Sequence, residues 1–273
     1  VEVLVVDDGS TDDGPRIAHY WAPYARMLSS GDPRSGPSKA RNVGIRAAKA
    51  EYVAFLDADD VWHNGFLEAA ADALARFGNA AGVFTPCARF RGSPPDLAAP
   101  LPHPLPMEEL AFADFLETWV SSGNCPASSS TAVFRRSSLM AAGLFNEDYR
   151  RGEDKDAFFR LLRRDNAVQI GVPLGFQRLG VPGQETRSIP TFVHPVVHSA
   201  HRVLDRTRDP ATRRLLVRLI NQSIWHYAKI NRSRRPFPAS YLNLFWPRAN
   251  PVKFGLLGLL YALTRLRHGP VAG

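Results

Sequence analysis

The sequence predicts an α/β domain with a mostly parallel mixed sheet flanked by helices, followed by a C-terminal helical tail. Three observations carry this. Short apolar runs alternate with stretches of helical spacing from residue 1 to about residue 180. Two of those runs end abruptly in clustered acids, Asp7-Asp8 and Asp57-Ala58-Asp59-Asp60, where a strand would run out into a loop. Beyond a Gly/Pro-rich connection over 171–190, the composition turns basic and helical. The expected division is therefore 1–190 for the α/β domain and 191–273 for a basic extension.

The elements follow in order. Residues 3–6 form a buried strand that runs into an Asp-Asp-Gly-Ser turn. Residues 11–28 read as a helix with Thr11 or Asp12 at its N-cap. A Gly/Pro/Ser loop over 31–37 precedes a helix over 38–50. Residues 52–56 are a second buried strand, and 66–77 an Ala/Leu helix. Residues 81–85 make a third strand, 91–106 a Pro-rich loop and 110–120 a helix. A strand over 131–134 leads to helices over 137–142 and 154–164. In the tail, 200–229 is helical, 236–251 is broken by prolines among Phe237, Tyr241, Phe245 and Trp246, and 254–266 is a compact apolar helix.

The chain has 273 residues, 45% hydrophobic and 22% charged, enough for a sizeable core and unlike a long disordered segment. Its net charge of +8 suits an anionic partner such as phosphates or a membrane surface. The skew is C-terminal: from Arg202 the chain is rich in Arg and nearly free of acids after Asp209. No nucleic-acid motif accompanies it, so nucleic acid is not an expected partner. Cys87 and Cys125 are far apart and lack metal-site spacing, which argues against structural zinc and fits a reducing compartment.

Three clusters carry candidate chemistry. In Val6-Asp7-Asp8-Gly9-Ser10-Thr11-Asp12 a strand delivers two carboxylates to the sheet edge. Such a carboxylate can accept hydrogen bonds from a nucleobase or ribose, although the same residues also suit a strand-end Asx-turn and helix cap. Asp57, Asp59 and Asp60 repel one another unless a cation neutralises them, or unless they form a solvated turn. Mg²⁺ and Mn²⁺ favour oxygen ligands and commonly take one or two carboxylates plus substrate phosphates. In Gly152-Glu153-Asp154 acids open a helix, where its dipole alone would stabilise them.

The ordered set resembles the family 2 glycosyltransferases, an inverting family with the Rossmann-like GT-A fold. The resemblance rests on Val6-Asp7-Asp8-Gly9-Ser10-Thr11-Asp12, Ala40-Arg41-Asn42-Val43-Gly44-Ile45 with Ala48, and Glu51 through Trp62. It resumes at Gly143-Leu144-Phe145-Asn146-Glu147 and Gly152-Glu153-Asp154, and covers roughly residues 1–180. It implies that Asp8 holds the base of a nucleotide-sugar donor, with Asp7 and Ser10 shaping the same turn. Arg41 would lie near the nucleotide or diphosphate. Asp59 would ligate Mg²⁺ or Mn²⁺ on the diphosphate, assisted by Asp57. Asp154 would be the general base, with Glu153 beside it. The acceptor would be a saccharide or a lipid-linked molecule, in polysaccharide or glycoconjugate synthesis.

Members of that family usually open with a strand, a Pro-Thr-Tyr-Asn-like turn and a helix. This sequence opens at what resembles the family's second strand, so it is expected to be a fragment that folds poorly alone and binds donor weakly. A sugar-phosphate nucleotidyltransferase is the rival enzyme, but its Gly-rich phosphate loop is not visible. A non-catalytic nucleotide-sugar or membrane-binding protein would not need Asp59 and Asp154.

His194, His198 and His201 have the spacing of a helical metal cluster, but Pro195 interrupts the first turn and no carboxylate is adjacent. Gln177-Arg178 and residues 183–187 suit a loop over the acceptor or a plain connection. The apolar run 254–263 is too short to span a bilayer. With Trp246, Lys253, Arg265 and Arg267 around it, the segment 246–267 suits an interfacial helix or a buried packing helix. The expected location is cytoplasmic, peripheral on the inner membrane face.

Overall fold

The computed structural model describes residues 1–181, 194–231 and 238–268. The chain divides into two compact units, Val1–Phe112 with Pro126–Val181, and Ala113–Cys125 with Pro182–Gly273. The expected boundary at 190/191 lies outside the described residues.

In the first unit, β1 (Val3–Asp7) pairs in parallel with β2 (Ala25–Ser29), from Val3 opposite Ala25 to Asp7 opposite Ser29. The helix expected over 11–28 is therefore replaced by α1 (Gly14–Tyr20), a turn and a strand. Pro23 explains the break, since it offers no N–H to a continuing helix and clashes with the preceding turn. The β1 ladder then outweighs the helix propensity of Arg26, Met27 and Leu28. β1 is only half-buried, not buried as expected, and its first residue, Val3, is exposed.

α2 (Pro37–Ala47) leads into β3 (Tyr52–Ala54), β4 (Val61–Trp62), α3 (Phe66–Arg76), β5 (Gly82–Phe84), β6 (Cys87–Phe90) and β7 (Met107–Leu110). After α4 (Phe112–Ser122) come β8 (Ala132–Arg135), α5 (Arg136–Ala141), α6 (Glu153–Leu162), β9 (Ala167–Ile170) and β10 (Gly175–Arg178). The main sheet has the order β3-β8-β5-β9-β7, and a smaller one the order β4-β10-β6. The sheets are mixed, as expected, but the parallel share is lower. β8 lies antiparallel to both neighbours and β7 antiparallel to β9, which leaves β5–β9, β6–β10 and β1–β2 as the parallel pairs among the described residues. β4, β6, β7, β9 and β10 have four residues or fewer, too few to show a period in sequence.

The core lies between α3 and the main sheet. Phe66, Ala69, Ala70, Ala73 and Leu74 cover Val83, Val133, Val168 and Ile170. α6 adds Phe158, Phe159, Leu161 and Leu162, all buried, with the Phe158 ring tilted against Phe134 at 4.8 Å between centroids. Each such side chain contributes about 1.5–3 kcal/mol. Gly82 lets β5 approach β8, because a Cβ there would come within 2.7 Å of the Val133 carbonyl.

In the second unit, the single helix expected over 200–229 is two. α7 (Val196–Leu204) stops before Pro210, which opens α8 (Pro210–Asn231). Proline cannot continue one helix but suits the first turn of the next. Asp209 completes that start by accepting the Thr212 N–H at 2.7 Å. α9 (Ala239–Leu244) and α10 (Pro251–His268) follow.

Candidate functional site

The first acidic cluster lies at the end of β1. Asp7 accepts the N–H groups of Gly9 (3.2 Å) and Ser10 (3.1 Å), an Asx-turn. Ser10 holds Asp7 below the usual carboxylate range. Gly9 has φ +81°, and a Cβ there would meet Pro33 at 2.6 Å. Ser10 itself is exposed.

Asp8 reaches across to the loop that precedes α2. Its Oδ1 accepts the hydroxyls of Ser30 and Ser35, each at 2.5 Å, and the Ser35 N–H at 2.9 Å. Its Oδ2 accepts the Gly36 N–H at 2.8 Å. Burial pushes this carboxyl up, but the Ser30 and Ser35 hydroxyls and the two N–H groups outweigh it, so Asp8 sits below its ordinary value.

Arg41, one turn into α2, joins the second and third clusters. Its Nη2 donates to Asp57 Oδ1 at 2.8 Å and its Nη1 to Glu153 Oε1 at 2.7 Å. The guanidinium stands 5.5 Å from the centre of the Phe145 ring. Burial disfavours its charge, yet Asp57, Glu153 and Asp154 together hold it more firmly protonated than usual.

Glu153 opens α6 after Gly152, whose φ of +72° turns the chain into the helix. Burial, then the Asp154 charge, raises Glu153 to about 7 against the pull of Arg41. The 2.7 Å ion pair favours an ionised carboxylate, but desolvation of a buried group outweighs it, and the shift is upward. Asp154 is half-buried and its Oδ1 accepts the Lys155 N–H at 2.8 Å.

The turn after β3 is held from two sides. The Asp57 N–H donates to Ser130 Oγ at 3.1 Å, and the Asp57 side chain is 44% exposed. The Arg178 N–H donates to Asp60 Oδ1 at 3.1 Å and its Nε to the Asp59 carbonyl at 3.3 Å. Its Nη1 reaches the Gly92 carbonyl at 3.1 Å, while the guanidinium covers the Phe90 ring at 4.9 Å. Asp60 is buried, which raises it to about 6.

Arg41, Asp57 and Glu153 are thus in direct contact, with Asp154 acting on Arg41 through its charge. Asp8 meets α2 at its start, whereas Asp7 and Ser10 stay within their own turn. Ser30, Ser35 and Ser130 carry no signal in the sequence, because their partners are remote, and the contact between Asp60 of the second cluster and Arg178 is equally hidden there. Asn42 too has distant partners. Its Nδ2 donates to the Phe145 carbonyl and to Glu147, both at 2.8 Å, and its Oδ1 accepts the Phe145 N–H at 3.0 Å. Its place beside Arg41 in the Ala-Arg-Asn segment was the available signal.

Among the described residues, no three His, Cys, Asp or Glu side chains converge on a metal position. A cation completed by diphosphate oxygens needs only one or two carboxylates. Asp57 and Asp59, both half-buried on one turn, are the candidates for that smaller demand, with Asp57 Oδ1 already held by Arg41. The three histidines do not gather. His194 precedes α7 and accepts the Val196 N–H, and His201 pairs with the Leu244 carbonyl at 2.8 Å, a packing role. Gln177 and Arg178 lie in β10, and residues 183–187 lie outside the described residues. No helix among the described residues is long and apolar enough to cross a membrane.

A mixed sheet flanked by helices, with acids just beyond the ends of β1 and β3, is the architecture of the GT-A glycosyltransferase fold. The chain belongs to glycosyl transferase family 2, whose profile matches residues 1–141. It is 46% identical over 63 residues to the uncharacterized glycosyltransferase YibD of Escherichia coli (strain K12), a match covering 22% of this chain and 18% of that relative. It is 34% identical over 71 residues to the glycosyltransferase GlyG of Streptococcus pneumoniae serotype 4, covering 25% of this chain and 23% of GlyG. The matches thus span under a quarter of these relatives. S. aureus TarS 1–349, solved in complex with UDP-GlcNAc, superposes with a TM-score of 0.71 at 16% identity, over 100% of this chain and 84% of that one. The mannosyltransferase PcManGT from Pyrobaculum calidifontis, solved with GDP-Man and Mn²⁺, superposes with a TM-score of 0.56 at 19% identity, over 97% and 77%. At these identities the likeness is one of fold.

Proposed function

We propose that this protein transfers a sugar from a nucleotide-sugar donor to an acceptor hydroxyl, with inversion and with the help of a divalent metal. The observation that carries this reading is the Asp57–Arg41–Glu153 bridge, which joins the acidic turn after β3 and the acids opening α6 through one guanidinium. The donor class is supported by the nucleotide sugars bound to TarS and PcManGT.

Asp154 takes the proton of the acceptor hydroxyl as its oxygen attacks the anomeric carbon. The bond from that carbon to the diphosphate oxygen breaks, and the electron pair leaves with the nucleoside diphosphate. A single displacement inverts the anomeric centre. Asp59, assisted by Asp57, would hold Mg²⁺ or Mn²⁺, which offsets charge on the departing diphosphate when bound. Arg41, near the diphosphate, holds Asp57 and Glu153 in place, its charge already shared between those two carboxylates. Asp8 is engaged three times through Oδ1, so its contact with the donor base falls to Oδ2. Asp7 and Ser10 shape the turn that presents it.

The catalytic domain is residues 1–190, and 191–273 is a basic extension. The acceptor is a saccharide or lipid-linked molecule in polysaccharide or glycoconjugate synthesis. The protein works on the cytoplasmic side, peripheral on the inner membrane face through 246–267.

The test is donor hydrolysis across a panel of nucleotide sugars with Mn²⁺ or Mg²⁺, beside Asp59→Ala and Asp154→Asn. Metal-dependent release of nucleoside diphosphate from one donor, lost in Asp59→Ala, would establish the reading. No release and no calorimetric donor binding by a chain that unfolds cooperatively would favour a non-catalytic protein.

A further inference from the structure

α10 has two unlike faces. On the inner one, Leu257 is fully buried and Phe254 stacks on Phe245 with centroids 6.0 Å apart. Lys253, the one charged residue between 252 and 263, turns its ammonium over the Trp225 ring at 5.5 Å. On the outer face, Val252, Leu256, Leu259 and Leu263 are 73%, 47%, 57% and 48% exposed. Their spacing of four, three and four residues aligns them in one stripe about 16 Å long. Gly255, on the same side, adds no bulk, and a Cβ there would meet nothing within 4 Å. The stripe is therefore apolar from end to end. Contiguous exposed apolar surface of this kind marks an interaction site.

The surrounding charge selects the partner. No Asp or Glu follows Asp209, whereas eleven Arg and Lys do. Arg248 stands just before α10, and Arg265 and Arg267 fall in its last turns. A second copy laid on this stripe would bring like charges together. An anionic lipid surface would accept the leucines among its acyl chains and the basic groups at its headgroups. α10 is not a membrane-crossing helix, so it would lie along that surface.

We propose that the outward face of α10 docks on an anionic lipid bilayer, with Val252, Leu256, Leu259 and Leu263 inserted and the helix axis parallel to the membrane. This gives the peripheral placement above a defined surface and rests on that placement, not on the transfer chemistry.

The experiment is sedimentation of the full chain with vesicles of phosphatidylcholine alone or mixed with phosphatidylglycerol, at low and high salt. The variant is Leu256→Glu/Leu259→Glu, with the milder Leu256→Ala/Leu259→Ala beside it. Circular dichroism and donor binding check that each remains folded. The expected result is salt-sensitive binding to the anionic vesicles only, weakened at least tenfold by the Glu pair and less by the Ala pair, with donor binding unchanged. Equal binding to both vesicle types, binding that the Glu pair leaves intact, or a stable dimer dissolved by the same variant would overturn the proposal. Vesicle binding by a chain that binds no donor would leave this proposal standing and sink the transfer reading instead.

Discussion

Arg41 and Glu153 face each other at 2.7 Å, and the same guanidinium holds Asp57 at 2.8 Å. Two acids separated by about half of the domain in sequence are therefore fixed by one cation. Removing that cation leaves Glu153 buried without its partner, a loss of about 3–5 kcal/mol where a buried pair is broken. Arg41→Ala is expected to approach that range in urea denaturation. Arg41→Lys is expected to restore only part of it, because one ammonium cannot reproduce a planar fork on two carboxylates.

Glu153 also predicts a pH dependence. Burial and Asp154 raise it from 4.5 to about 7. Between those values the folded protein holds a proton that the unfolded chain has released. Its contribution to stability is therefore full below about pH 4.5 and is lost as the pH rises through about 7. The unfolding free energy of the native protein should fall relative to Glu153→Gln across that window. Parallel curves for the two proteins would contradict the assignment.

Asp8 is surrounded by donors, so Asp8→Asn would turn an amide NH₂ toward N–H or O–H groups. A loss of about 1–3 kcal/mol is expected, the cost of leaving buried donors unsatisfied. Thermal unfolding checks this. Ser35→Ala, which removes one hydroxyl and keeps the N–H, should cost less.

The proposed roles separate in kinetics. Asp154→Asn should lower kcat by about 10²–10⁴-fold, the usual contribution of a general base, with donor Kd little changed. Asp59→Ala should instead weaken metal-dependent donor binding, read by calorimetry with and without Mn²⁺. If both variants changed the same constant, the division of labour would be wrong.

The acidic clusters and the helix between them were legible because each signal is local. An apolar run ending in acids needs no distant partner to be read. β2 was not legible, because its strand state depends on the ladder with β1, while Arg26, Met27 and Leu28 suit a helix as well. The cage around Asp8 was hidden for a related reason, since Ser30 and Ser35 lie more than twenty residues away. Arg178 meets Asp60 across 118 positions, a distance no motif spans.

α2 carries contacts to three separate parts of the site. Gly36, just before its start, holds Asp8, while Arg41 holds Asp57 and Glu153, and Asn42 holds the Phe145 backbone. Fully buried Ile45 fixes where the helix sits. Substitutions at these four positions should therefore be strongly epistatic, each setting what the others tolerate. The eleven-residue helix would then drift as a block among relatives, its residues exchanged together or not at all.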